Sequence, residues 1–224
     1  MALNVVEKLF RADTSRPTRF HTAKGKLVLS PDILKSLATT INRIIFDRYA
    51  DVPWLPYPAI AHIETLIKGK TLLEFGSGTS TQWYADRCKK IVSIENSPKW
   101  HAFNKNKLSS RPNVEYILAD SDDEMIFAAD KIDQPIDVFV IDCLPGAGSR
   151  FPGSDPLRVA CLRSCIQVAK PGAIFIIDNT DAMKDLNSEV EAQFQGSQVK
   201  RISGWAPGIM HPNETTVVEH YQPR

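Results

Sequence analysis

The chain has 224 residues, 43% hydrophobic and 24% charged, with 27 Lys and Arg against 26 Asp and Glu and a formal net charge of +1. That length can bury one substantial core, and the balanced charge gives no electrostatic reason to expect a nucleic-acid or anionic-membrane partner. No apolar run is long enough to span a bilayer, and Met1–Phe10 lacks the apolar stretch of a signal peptide because Glu7 and Lys8 interrupt it.

Residues 1–66 read as an N-terminal helical extension or lid, and residues 67–224 as the main domain. Arg11, Arg16, Arg19, Lys24 and Lys26 make the start basic, but Glu7 and Asp13 break the pattern of a transit peptide. A helix is expected from about Asp32 to Tyr49, because Ile33, Leu37, Ile41, Ile44 and Ile45 share one stripe and Pro31 sits at its start, where proline is tolerated. Val52-Pro53-Trp54-Leu55-Pro56-Tyr57-Pro58 is too rich in proline for regular structure, and a short helix over Ala59–Ile67 follows. Strands are then expected near 71–75, 91–95, 114–119, 137–142 and 173–178, with helices near 79–88, 98–108, 122–130 and 156–168 between them. Such alternation builds a doubly wound α/β fold, a parallel sheet with helices on both faces. A helix near 182–195 precedes two strand-like runs, Gln198–Ser203 and Thr215–Tyr221, expected as an antiparallel pair at the sheet edge.

The most informative stretch is KTLLEFGSGTSTQWYADRCKKIVSIENS, residues 70–97. A short apolar strand runs into Gly76-Ser77-Gly78, and the next strand ends on Glu95. The glycines permit positive φ and keep side-chain bulk away from a ligand at the strand tip. Thr79 or Ser80 can cap the following helix, whose free N–H groups then face that ligand. Glu95, an acceptor with two oxygens, suits both hydroxyls of a ribose. A dinucleotide fingerprint would place a third glycine at Thr81. Glu74, just ahead of the turn, would repel a pyrophosphate but suit a cationic ammonium. The pattern therefore favours an adenine nucleoside with no phosphate and a positive charge over NAD, although an NAD-dependent oxidoreductase stays open as an alternative.

Further along, Ile117-Leu118-Ala119-Asp120 ends a third strand, Asp137–Asp142 forms a fourth, and Lys170-Pro171-Gly172-Ala173 makes the turn before a fifth. Four such segments in order, over residues 68–220, resemble the class I S-adenosylmethionine (SAM) dependent methyltransferases. The resemblance implies a mostly parallel seven-stranded sheet closed by a C-terminal antiparallel pair. It implies SAM as cofactor, with Glu74, Gly76, Ser77, Gly78, Glu95, Asp120 and Ser121 around it. It also places Asp142, at the tip of the fourth strand, as base or orienting carboxylate beside the transferable methyl. For Asp122 and Asp123 the simpler reading is an acidic helix start favoured by the dipole. Trp100 either stacks on the adenine or packs in the core. His101 and His211 are the alternative bases, since only histidine titrates near neutrality unaided.

Asp142 and Asp178-Asn179 end adjacent strands, and their oxygens are of the kind magnesium accepts. That arrangement resembles the cation-dependent catechol-type O-methyltransferases. The lysine that follows the first aspartate in that family is replaced by Cys143-Leu144-Pro145-Gly146, and the first basic residue is Arg150. Magnesium is therefore possible but not favoured, and Asp178-Asn179 reads in preference as a loop cap. Cys88, Cys143, Cys161 and Cys165 have no C-x-x-C spacing and no histidine beside them to complete a zinc set, so buried free thiols in a reducing, cytoplasmic setting are expected. The function expected is methyl transfer, by preference to an oxygen of a small-molecule acceptor. That acceptor would be held by the N-terminal extension and the loops at 143–155 and 204–213. A SAM-binding protein without catalysis is the other alternative.

Overall fold

The computed structural model describes residues 16–223; the expectations on Met1–Phe10, Arg11 and Asp13 lie outside them. Helices α1 (Asp32–Phe46) and α2 (Tyr57–Ile67) precede a regular alternation. It runs β1 (Thr71–Phe75), α3 (Ser80–Ala85), β2 (Lys90–Glu95), α4 (Pro98–Leu108), β3 (Val114–Leu118), α5 (Asp122–Phe127), β4 (Val138–Ile141), α6 (Ser154–Val168), β5 (Ile174–Asp178) and α7 (Lys184–Gln193). Two longer strands, β6 (Gln198–Trp205) and β7 (Pro212–Glu219), complete it. The sheet order is β3-β2-β1-β4-β5-β7-β6, and β7 alone runs against the others, pairing with β5 on one side and β6 on the other. The expected seven-stranded, mostly parallel sheet with its antiparallel C-terminal pair is therefore present.

Strand period sets the two faces of the core. Leu73, Phe75, Val92, Ile94, Phe139, Ile141, Phe175 and Ile177 pack beneath α5, α6 and α7. Leu72, Ile91, Val138, Val140, Ile174, Ile176 and Val217 pack beneath α2 and α3, with Ala59, Ile63, Ile67 and Trp83. Helix α2 thus shares the core of the α/β unit although it was assigned to the extension. Cys88, Cys143, Cys161 and Cys165 are free and buried, with Cys143 Sγ 3.7 Å from Cys161 Sγ.

Two expectations at the N-terminal side change. Tyr57 and Pro58 are helical, because proline in a first turn gives up an N–H that would have no partner in any case. Helix α1 stops at Phe46, and its buried positions are Ser36 and Thr40 rather than the isoleucine stripe. Ile33, Leu37, Ile41 and Ile44 are only half-buried, and Leu34, Ile45 and Phe46 are exposed. The helix leans on β6 and on the loop after it, where Gly208 N donates to Thr39 Oγ1 at 2.9 Å and Arg43 lies over the Trp54 ring.

Gly204 in β6 lets the proline segment approach. A Cβ there would lie 2.9 Å from Pro58 Cδ and 3.2 Å from Pro56 Cβ. Gly204→Val is expected to push α2 off the sheet edge and lower stability by about 1–3 kcal/mol, the range for overpacking. Urea unfolding measures this, and an unchanged midpoint would contradict the close contact.

Candidate active site

A cavity of about 520 Å³ opens at the carboxyl ends of β1, β2, β4 and β5. It lies where the strand order reverses between β1 and β4, the crevice in which open α/β sheets bind ligands. One end is walled by Gly76–Ser80, Glu95–Ser97 and Trp100, the other by Asp142, Arg158, Asp178, Asn179, Ile209, His211 and Asn213. Trp54, Leu144 and Pro145 also line it, so the proline segment and both long loops reach the same space.

The glycine turn is held by contacts that its residue types require. Gly76 has φ +87°, and a Cβ there would fall 2.6 Å from Asp142 O and from Cys143 Cα. Only glycine lets the tips of β1 and β4 meet this closely. Ser77 Oγ donates to Glu95 Oε2 at 2.8 Å and sits 2.7 Å from Tyr116 OH, and Ser97 N donates to Glu95 Oε1 at 2.8 Å. Each carboxylate oxygen retains a second lone pair for a ligand hydroxyl. Burial raises the Glu95 carboxyl above its ordinary pKa, opposed by these hydrogen bonds. The residues present therefore fit a bound adenosine: an acceptor pair at the second strand tip, a side-chain-free turn, and Trp100 on the wall.

Three expected ligand residues, Glu74, Asp120 and Ser121, are not in the cavity lining. Glu74 does not reach the cavity wall. Strand alternation puts it on the Leu72 face, under the start of α3, opposite Ser93. There Oε1 accepts from Ser80 Oγ at 2.6 Å, and Oε2 accepts from Thr81 Oγ1 at 2.7 Å and Ser93 Oγ at 2.6 Å. These three bonds tie the end of β1 to the start of α3 and to β2. Asp120 is exposed and outside the lining, and its backbone N–H donates to Glu124 Oε2 at 2.7 Å. Ser121 is the N-cap of α5 and accepts from Glu124 N. The run Ser121-Asp122-Asp123-Glu124 has the spacing of a capping box, which accounts for these positions.

Asp122 is an acidic residue in the first turn of α5, as the helix-start reading has it, and it also clamps a loop. Its Oδ1 accepts from Asn96 Nδ2 at 2.6 Å and Gly146 N at 3.0 Å, and its Oδ2 accepts from Ser149 Oγ. Burial pushes its pKa up, but those bonds hold the carboxyl below the ordinary range. The clamp fixes the loop that carries Leu144 and Pro145 over the cavity.

The far end is organised by Arg158, which the sequence reading did not single out. It projects from α6 and is almost fully buried. Its Nη2 donates to Asp142 Oδ1 at 2.7 Å, its Nε to Cys143 O at 2.9 Å, and its Nη1 to Asp178 O at 2.9 Å and Asn179 Oδ1 at 3.4 Å. The guanidinium thus takes the place between the three candidate magnesium ligands, while Asp178 Oδ1 accepts from Thr215 Oγ1 at 2.6 Å. This donor set does not fit a divalent ion. Arg150, the first basic residue after Asp142, pairs on the surface with Asp123. The signal for Arg158 is an arginine beside Leu157 in the buried stripe of Cys161, Leu162 and Cys165 on α6.

Asp142 is raised above the ordinary carboxylate pKa by burial, against the pull of Arg158, and its side chain remains 30% exposed. Asp178 is pushed up to about 8, by burial first and the Asp142 charge second. One guanidinium therefore balances one ionised carboxylate, and the second carboxyl keeps its proton at neutral pH. Of the two histidines, His211 lines the cavity, whereas His101 stacks on Tyr116 outside it.

Residues 73–177 match the family model described as a methyltransferase domain. Comparison with curated proteins finds no match. Among solved structures, the chain is similar to the SAM complex of the O-methyltransferase TomG from Streptomyces achromogenes, involved in tomaymycin synthesis, at 15% identity and TM-score 0.60, covering 87% of this chain and 91% of that one. An rRNA methylase from Streptococcus thermophilus is 14% identical at TM-score 0.53, covering 72% and 93%. A precorrin-6y C5,15-methyltransferase from Geobacter metallireducens is 13% identical at TM-score 0.52, covering 76% and 98%. At such identities the likeness is one of fold. The family match over residues 73–177, the sheet order and the glycine turn give this chain the fold of the class I methyltransferases, and SAM fits its site.

The buried carboxyls predict a pH dependence of stability. Glu74 is pushed up to about 7, chiefly by burial, and Asp178 to about 8, from ordinary values of 4.5 and 3.8. Between those limits the folded chain keeps protons that the unfolded chain has lost, so stability falls as pH rises through them. Urea unfolding from pH 5 to pH 8 is expected to show this decline, flattened in Asp178→Asn. An equal slope in that variant would contradict the assignment.

Proposed function

We propose that the protein transfers the methyl group of SAM to an oxygen of a small-molecule acceptor, with Asp142 as the base. The observation that carries this is the single cavity joining the glycine turn and Glu95 to Asp142. SAM supplies an electrophilic methyl on its sulfonium. The chain supplies alignment of the acceptor and a carboxylate to receive its proton. Arg158 fixes Oδ1 of Asp142, leaving Oδ2 for the acceptor hydroxyl. The raised pKa of Asp142 brings it closer to that task than an exposed carboxylate would be.

A small acceptor is favoured over RNA by the net charge of +1 and by the apolar side chains of Trp54, Leu144 and Ile209 in the lining. Oxygen is favoured over nitrogen by the carboxylate itself, since a hydroxyl must lose a proton during transfer. The proline segment is tied to the cofactor end through Thr79 Oγ1, which donates to Val52 O at 2.9 Å. Ligands at either end of the cavity therefore bear on the same cover.

Calorimetric titration with SAM, S-adenosylhomocysteine and NAD tests the cofactor half. Glu95→Ala is expected to weaken SAM by about 1–3 kcal/mol, from lost hydrogen bonds to a charged acceptor, and unchanged affinity would contradict the ribose assignment. A screen of phenols and alcohols with methyl-labelled SAM tests the acceptor half. In the variant Asp142→Asn, turnover of any acceptor found is expected to fall about 10²–10⁴-fold with SAM affinity retained. Unchanged turnover would remove Asp142 from the chemistry.

A further inference from the structure

Among the described residues, the acceptor end contains a buried side-chain amide without a hydrogen-bond partner. Asn213, second residue of β7, is 1% exposed, lines the cavity, and neither Nδ2 nor Oδ1 makes a hydrogen bond. Its backbone is placed by the ladder, opposite Gly204 in β6, so the side chain is not needed for strand pairing. An unpaired buried amide costs folding free energy that an aliphatic side chain of similar size would avoid. Ser36, Thr40, Tyr84 and Asn104 also carry unpaired buried atoms, but none of them lines the cavity.

Building on the methyl-transfer reading, we infer that Asn213 is the specificity determinant for the acceptor, pairing through both amide atoms with a neutral donor–acceptor edge such as a lactam or carboxamide. A carboxamide offers N–H donors beside a carbonyl acceptor, so its complement presents one of each side by side. The edge is neutral because the charges nearby are already engaged. An anion would face the carboxylate of Asp142. A cation would find Asp142 held by Arg158 and Asp178 by Thr215.

Topology sets the size of the acceptor. Asp142 follows β4 and Asn213 lies on β7, with β5 between them. Two inter-strand spacings put the amide about 10 Å across the sheet from the reacting carboxylate. A molecule that gives its hydroxyl to Asp142 and its other edge to Asn213 is therefore about two fused rings long. Ile209 and Trp54, also in the lining, supply apolar contact for such a ring system.

The test compares 6-hydroxy-2-quinolinone, which has a lactam edge remote from its hydroxyl, with 2-naphthol, which has the same two rings and no such edge. Binding of each to the protein saturated with S-adenosylhomocysteine is measured by calorimetry, for the wild type and for Asn213→Leu. The quinolinone is expected to bind the wild type on the order of tenfold more tightly, and Asn213→Leu to lose that preference. The ligand-free variant is also expected to melt no lower than the wild type, because the amide it removes has no partner to lose. Equal binding of the two compounds, binding of neither, or a lower melting temperature in Asn213→Leu would overturn the inference. Affinity for S-adenosylhomocysteine is measured in the same samples. Its absence overturns the methyl-donor reading and this inference together, whereas retained affinity without discrimination overturns the inference alone.

Discussion

The guanidinium of Arg158 holds the far half of the site together. One side chain from α6 ties the carboxylate at the tip of β4, the carbonyl that follows it, and the carbonyl that ends β5. Two carboxyls this deep in a sheet could not both ionise without a counter-charge, and desolvation would drive either to neutrality. The arginine lets Asp142 carry charge while Asp178 keeps its proton. Removing one partner of such a buried pair leaves the other uncompensated, at a cost of about 3–5 kcal/mol. The pair is thus a condition of the fold at this point as well as of the chemistry proposed for it.

The cofactor half is organised by hydroxyls. Ser80, Thr81 and Ser93 converge on Glu74, and Ser77 with the backbone of Ser97 converges on Glu95. These two carboxylates lie on neighbouring strands and are kept apart in function by strand period and burial. Glu74 points under α3 and fixes the turn. Glu95, at the open tip of β2, keeps lone pairs towards the cavity. Asp122 repeats the device one layer out, where it anchors the 144–149 loop to Asn96.

Much of this was legible in the sequence, because βα alternation, the glycine turn and the acid at the second strand tip are local signals. The strands expected at 71–75, 91–95 and 114–119 agree with β1, β2 and β3 within a residue. What could not be read was the direction in which a side chain points once a strand ends. Glu74 is one residue from the turn, yet period two turns it into the core. Asp120 lies just past β3 and is released to solvent by the capping of α5. Arg158 and Asn213 were missed for a different reason. Each acts across the sheet, 16 and 71 residues from Asp142 along the chain, and no short spacing marks either. The isoleucine stripe of α1 misled in the opposite sense, since a helix on a sheet edge is turned by a few tertiary contacts such as Thr39 to Gly208.

The structures that share this fold include methyltransferases described for tomaymycin synthesis, for rRNA and for precorrin-6y, so the scaffold does not choose the acceptor. In the reading proposed for this chain the choice falls to the end of the cavity lined by Asp142, Arg158 and Asn213. The central claim there is that an internal cation, the Arg158 guanidinium, occupies the place that a magnesium ion could otherwise take. Calorimetric titration of magnesium into the protein saturated with S-adenosylhomocysteine tests it most directly. The guanidinium between Asp142, Asp178 and Asn179 predicts no saturable binding at millimolar magnesium. Saturable binding that disappears in Asp142→Asn would contradict it.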